Sequence, residues 1–495
     1  MIFKNKIRTR FAPSPTGSMH VGNLRTAIYA YLLAKHNKGV FYLRIEDTDK
    51  SREVSGGIEN LIKILNDFGL KYNEGPILKN GKIEQKGKYG PYIQSQRIDL
   101  YQKWAKKLVE YGHAYYCFCS SDRLTKLRED QSKANQITKY DGFCRNLSLE
   151  EVQAKLDKKE PYVIRLKVPE NEVIKFNDLI RGDVEFNTKD IDDSVLLKSD
   201  GYATYHLAHV VDDHFMETTH VIRGEEWLSS TPKHLILFKY FDWAPPQYAH
   251  MSLLLNPDKT KLSKRQGDVA VEDYLAKGYL KEALINFIAT IGWTEGEGSE
   301  QEIYSLNELV KKFDITRVNK AGAIFNLEKL DFINSYYIKK LNIKDLTALC
   351  LPYLKDIING FDYKFIERVC QIEQERLKKI SDIKEGTEFF FQLPDYSKDL
   401  LIWKKLDLSQ TKENLIKNID YLVSLADNTF KAVKTLEESY INWIKANNYA
   451  TGDILWPLRV SLSGLKNSPS PFEILWVLGK DEAVKRIKNA ISKLE

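Results

Sequence analysis

Near its start the chain reads KIRTRFA, a short run of alternating apolar and polar side chains that predicts a strand. A segment rich in Pro and Gly follows, within RFAPSPTGSMHVGNLRTA at residues 10–27, and predicts a loop. LRTAIYAYLLAKHN then carries apolar residues at helical spacing and predicts an amphipathic helix that ends at Gly39. VFYLRIED predicts a second, buried strand, which closes a β-α-β unit of the parallel kind. Such sheets bind ligands beyond the carboxyl ends of their strands, so the loop and the acidic segment at 46–49 are expected to share one crevice.

From about 105 to 204 the pattern turns polar, mixing short helices and strands with Lys-, Asp- and Gly-rich loops. Apolar, strand-like character returns in TYHLAHVVDDHFMETTHVIRG at 204–224 and in SLLLNPDKTKLSKRQGD after it. One nucleotide-binding domain split by an insertion accounts for both changes. Beyond about 272 the period is helical almost to the end, as in LNELVKKF and EAVKRIKNAISKL, with no internal repeat.

Composition narrows this picture. A chain of 495 residues exceeds one ordinary core, so two to four domains are expected. With 43% hydrophobic and 29% charged residues it reads as globular, and no apolar run approaches the roughly 20 residues of a membrane span. Five cysteines make no disulfide framework; a cytoplasmic setting is expected. The net charge is +6, yet residues 1–50 carry nine Lys or Arg against three Asp or Glu, which suits a polyanion at the opening loop. From 351 onward the balance is 22 against 21, so a nucleic-acid face there would depend on arrangement.

Prolines and glycines before a helix let backbone approach a ligand closely, and a helix N-terminus offers N–H groups to an anion, so a nucleotide phosphate is the first reading. HVGN at 20–23 and KLSKR at 261–265 are each weak alone. In this order across a split α/β domain they resemble the two signatures of the class I aminoacyl-tRNA synthetases. RFAPSPTGSMHVGN, RIEDTD, VVDDHFMETTHVIRGEEW and NPDKTKLSKR narrow the resemblance to the bacterial glutamyl-tRNA synthetases, and it continues through FNLEKLDFINSYYI to PLRVSLSG.

The resemblance implies an α/β fold: a Rossmann-like parallel-sheet catalytic domain (1–104 and 205–271) split by an α+β acceptor-stem-binding insertion (105–204). All-α C-terminal domains follow, a stem-contact domain (272–345) and an anticodon-binding domain (346–495). It implies ATP as a substrate accompanied by Mg²⁺, with L-glutamate and tRNA(Glu) as the other partners, no membrane, and a monomer. Amino-acid activation moves charge onto the α-phosphate and pyrophosphate, so cations and N–H donors are needed rather than a nucleophile. His20, Lys261 and Lys264 are the implied catalytic residues, with Gly17, Gly22, Asn23 and Ser263 also at ATP. The Gly22 backbone and the helix N-terminus are expected to face the phosphates. Arg10 and Arg223 are implied to bind the glutamate carboxylate, with Tyr205 adding a hydrogen bond and Glu46 holding the α-ammonium. Ala12, Ser14 and Trp227 line the pocket by the same resemblance, and His209 is its neighbour.

Cys117, Cys119 and Cys144 form most of a zinc site, but Asn146 stands where a fourth ligand is expected, so the site reads as degenerate and bound zinc is not expected. Arg376 matches an arginine implicated in anticodon discrimination and equally suits a surface charge pair, while FEILWVLG reads as helix core. Two rivals stay open: an enzyme that also charges tRNA(Gln), and a non-catalytic tRNA-binding paralogue. A truncated relative that modifies a tRNA base is disfavoured by the long helical C-terminal third.

Overall fold

The structure, a computed structural model, describes residues 6–49, 54–262, 269–296 and 298–495. Its contacts divide the chain into two units, Met1–Tyr274 with Lys281–Leu327, and Leu275–Leu280 with Glu328–Glu495.

The first unit is built on six strands, labelled here in chain order: β1 (Arg8–Phe11), β2 (Val40–Leu43), β3 (Val173–Asp178), β4 (Gly182–Asn187), β5 (His220–Gly224) and β6 (Gln247–Met251). They lie in the order β2-β1-β5-β6-β3-β4. Pairing is parallel from β2 through β6, and Arg10 opposes Tyr42 while Arg223 opposes His250. β3 joins β6 in parallel through Tyr248 and Asp178, and β4 turns back antiparallel on β3. This hairpin belongs to the segment expected as an insertion, so part of that segment extends the main sheet. Its remainder forms an antiparallel sheet of Ala114–Cys117, Val163–Leu166 and Val195–Leu197.

Two sequence expectations are corrected. Helix α1 (Val21–His36) is not amphipathic: Leu24, Ile28 and Leu32 are buried on one face and Ala27, Ala30, Leu33 and Ala34 on the others, which puts core around the helix rather than along one stripe. It lies against β1 on one side and the helices Lys281–Thr290 and Leu306–Lys312 on another, and the Tyr29 hydroxyl donates to the Ala289 and Ile291 carbonyls. The stretch at 204–224 is not strand throughout; Tyr205–Phe215 is a helix, α2, and only His220–Gly224 is strand. Leu207, Ala208, Val210 and Val211 give α2 an apolar side, but buried Asp212 and Asp213 interrupt it and hide the period.

The second unit is helical. One core gathers Leu346, Cys350, Ile366 and Cys370, and another gathers Leu415, Leu436, Tyr440, Leu458 and Leu475. Phe472, Ile474 and Val477 are buried there, as expected of FEILWVLG. Among the described residues no helix is long and apolar enough to cross a membrane.

The turn from α1 into β2 depends on a close approach at Gly39, whose N–H donates to the Ala34 carbonyl at 2.7 Å. A Cβ there would stand 2.3 Å from the Ile7 carbonyl oxygen and 3.0 Å from that of Ala34, both backbone atoms. Gly39→Ala is therefore expected to cost about 1–3 kcal/mol and lower the thermal midpoint; an unchanged midpoint would contradict this account of the turn.

Candidate functional site

The carboxyl ends of β1, β2 and β5 open into a cavity of about 660 Å³. Arg10, Ala12 and Ser14 reach it from β1 and the loop after it, and Glu46 follows β2. Tyr205 enters from the first turn of α2, Arg223 from β5 and Trp227 from just beyond. The Tyr205 and Trp227 rings lie 4.4 Å apart. His209, one turn along α2 from Tyr205, is fully buried beneath them with its Nδ1 3.3 Å from Arg10 Nη2.

Beneath this cavity lies an ionic network. Asp213 Oδ1 accepts from Arg44 Nη1 at 2.6 Å and from Arg10 Nε at 3.2 Å. Asp212 accepts from Arg97 Nε at 2.7 Å, Gln94 at 2.8 Å and the Tyr101 hydroxyl at 2.8 Å. Arg44 Nη2 donates to Glu46 at 2.9 Å. Burial works against charge on Asp213, but Arg10 and Arg44 outweigh it and hold the carboxyl below the usual range. Burial raises Glu46 above its usual value against the pull of Arg44 and Arg10. These three arginines and three carboxylates are paired.

Arg223 is different: among the described residues no carboxylate lies within 4.0 Å of it. Its donors meet only neutral acceptors: His250 Nε2 at 3.0 Å, the Tyr205 hydroxyl at 2.8 Å, Thr231 Oγ1 at 2.8 Å and the Trp227 carbonyl at 3.3 Å. His234 Nδ1 is 3.4 Å away. Burial, then the neighbouring cations and histidines, push His234 and His209 well below the usual imidazole value, so neither adds positive charge. Arg223 thus has no carboxylate directly on it; the nearest buried one reached through its hydrogen bonds, Asp178, stands behind His250.

A smaller cavity of about 220 Å³, lined by His20, Gly22, Asn23 and Lys261, adjoins the first; Asn23, Thr26, Gly224 and Glu226 line both. At the helix N-terminus, expected to face the phosphates, the structure places a local cap. His20 is the N-cap of α1, and its Nδ1 accepts from the Gly22 N–H at 2.9 Å. The Val21 N–H donates to Val269 and the Asn23 N–H to the His20 carbonyl. The first N–H groups of α1 are thus engaged, and Gly22 serves the imidazole: a Cβ there would stand 3.1 Å from Nδ1. Gly17 lines neither cavity and holds the preceding turn at φ +106. Ser263 and Lys264 lie outside the described residues.

In the antiparallel part, the Cys117, Cys119 and Cys144 sulfurs lie within 4.8 Å of one another. The Tyr140 hydroxyl is 3.4 Å from both Cys117 and Cys119, and Asn146 is exposed. A hydrogen bond from Cys144, against burial and helped by Tyr140, pulls the Cys117 thiol far below its usual value. Three sulfurs and one phenol oxygen together fit the four ligands of a structural metal. In the second unit, Arg376 pairs with both Glu473 oxygens at 2.9 Å and donates to the Ile372 carbonyl.

Arg44, Asp212, Asp213, Thr231, His234 and His250 were not singled out from sequence. The signal for two of them was present: paired carboxylates inside an apolar run, which can be buried only with cationic partners.

A model of the class I tRNA synthetase (E and Q) catalytic domain matches residues 6–332, and one of an anticodon binding domain matches 345–491. The glutamate–tRNA ligase of Alkaliphilus metalliredigens is 44% identical over 493 residues, covering 97% of this chain and 98% of that one. That of Clostridioides difficile is 43% identical over 498 residues, covering 97% and 98%. The crystal structure of a glutamate tRNA ligase from Elizabethkingia meningosepticum, in complex with its amino acid, superposes with a TM-score of 0.88 at 35% identity over 99% of this chain and 100% of that one. An α/β sheet with its site at the strands' carboxyl ends, two matched family models and near full-length likeness lead to one conclusion: the chain belongs to the class I tRNA synthetase family of the glutamyl and glutaminyl type.

Proposed function

We propose that the chain is a glutamate–tRNA ligase, which joins L-glutamate to ATP as glutamyl-adenylate and then transfers the glutamyl group to the terminal adenosine of tRNA(Glu). The observation that carries the choice of amino acid is Arg223, a buried guanidinium with no carboxylate directly on it. Glutamate brings a side-chain carboxylate that can meet Arg223 directly, whereas glutamine brings a neutral amide and leaves the guanidinium with neutral partners alone. A bidentate guanidinium suits a carboxylate, and Arg10 stands at the same cavity.

In this reading Arg223, Arg10 and the Tyr205 hydroxyl hold the side-chain carboxylate, and Glu46 holds the α-ammonium. Ala12, Ser14 and Trp227 shape the pocket. The substrate's own α-carboxylate attacks the α-phosphorus, and pyrophosphate leaves; a ribose hydroxyl of the tRNA end then attacks the acyl carbon, and AMP leaves. Asn23 lines both cavities and stands where amino acid and nucleotide would meet. His20, Lys261 and Lys264 supply positive or N–H groups to the phosphates, which stabilises charge that develops only as the reaction proceeds. Mg²⁺ accompanies the triphosphate as counterion. The helical second unit is assigned to the anticodon arm on the strength of its matched family model.

Cys117, Cys119, Cys144 and Tyr140 are the residues that would hold a zinc ion, whose contribution there is a structural cross-link. This revises the expectation from sequence, which considered Asn146 and not Tyr140 as the fourth group.

Two measurements test these assignments. ATP–pyrophosphate exchange in the presence of tRNA(Glu) is expected to run with glutamate and to be slower by roughly 100-fold or more with glutamine; equal rates would overturn the assignment. Elemental analysis of the purified protein is expected to find about one zinc per chain, lost in Cys144→Ser; wild-type protein without zinc would refute the metal site.

A further inference from the structure

Arg223 is held by a feature that the reaction itself does not call for. On the neighbouring strand β6, His250 stands opposite it in register, with Nε2 3.0 Å from Arg223 Nε. The other ring nitrogen, Nδ1, lies 2.6 Å from Asp178 Oδ2 at the end of β3. Neither the His250 nor the Asp178 side chain is exposed.

Asp178 is itself fixed. Its Oδ1 accepts from the Ile180 and Arg181 N–H groups at 3.0 and 2.9 Å, and both its oxygens lie within 3.2 Å of the His250 backbone N–H. Burial opposes its charge, but the His250 hydrogen bond and these N–H groups outweigh that and keep the carboxyl below its usual value. Burial lowers His250 despite Asp178, so the ring carries a single proton. A carboxylate can only accept, so that proton sits on Nδ1, and Nε2 presents a lone pair to the Arg223 N–H.

We propose that Asp178 and His250 are positioning residues for the amino-acid pocket: the carboxylate fixes the imidazole tautomer, and the imidazole lone pair fixes the plane in which Arg223 meets the substrate carboxylate. The arrangement explains a choice of chemistry. A carboxylate placed directly on Arg223 would orient it equally well but would neutralise it and compete with the substrate. An imidazole between the two holds the guanidinium with a neutral acceptor and keeps the anion one ring away. Thr231 completes the frame, with Oγ1 2.8 Å from Arg223 Nη2 and 3.1 Å from His250 Nε2. The inference rests on the reading of Arg223 as the residue that binds the glutamate side chain.

Asp178→Asn tests it with little change of shape. Oδ1 can still serve the turn, but an amide N–H then faces Nδ1, drives the proton to Nε2 and sets it against the Arg223 N–H. In tRNA-dependent exchange, KM for glutamate is expected to rise about 10- to 100-fold, with KM for ATP and the thermal midpoint within about twofold and a few degrees of wild type. A second pair covers the case in which Asp178→Asn does not fold. His250→Gln retains an acceptor for Arg223 and a donor for Asp178, and its KM for glutamate is expected to stay well below that of His250→Leu. The proposal is overturned if Asp178→Asn folds and leaves KM for glutamate unchanged, or if the Gln and Leu variants raise the glutamate and ATP constants alike. Failure of the underlying reading is recognised separately, as wild-type protein that does not prefer glutamate to glutamine.

Discussion

One carboxylate shared by two arginines organises the floor of the site. Asp213 sits at the buried end of α2 and draws Arg44 from the residue after β2 and Arg10 from β1 to a single oxygen, which ties three elements together where the sheet opens. Removing either kind of partner would leave buried charge unmatched, at a cost of about 3–5 kcal/mol, so the strands' ends and the helix are fixed to one another by electrostatics as well as by packing. Against this paired floor Arg223 gains its meaning: it faces the cavity with only neutral groups directly on it, the nearest carboxylate in its hydrogen-bond chain being held one ring away by His250.

The same economy governs the adjoining cavity. A histidine that caps its own helix has one ring nitrogen committed and its orientation set, and the glycine two residues on makes room for the cap. The spacing in HVGN is therefore a packing requirement before it is a phosphate-binding one. Because Asn23 and Thr26 follow on α1 and line both cavities, the helix that His20 caps also shapes the passage between them.

Much of this was legible in the sequence, and the reasons differ by residue. The β-α-β unit at the start could be read because turn residues separate its elements sharply. The pocket residues Arg10, Glu46, Tyr205 and Arg223 were found through motif resemblance, and the structure brings all four to one cavity. Periodicity failed at α1, where burial on all sides erases the polar face, and at α2, where two buried aspartates interrupt the apolar side. His250 and Asp178 were invisible because their significance lies in pairing across strands 72 residues apart, which no local pattern carries. Tyr140 escaped for a related reason: a phenol four residues before a cysteine does not fit a metal-ligand spacing until the loop is folded.

On the proposed reading Arg223 selects the substrate because no carboxylate sits directly on it. This role is tested most directly by the ratio of kcat/KM for glutamate to that for glutamine in Arg223→Gln, measured in one preparation so that the folded fraction cancels. The ratio is expected to collapse toward one as the neutral side chain removes the demand for an anion; a variant that keeps the wild-type preference would overturn this role of Arg223.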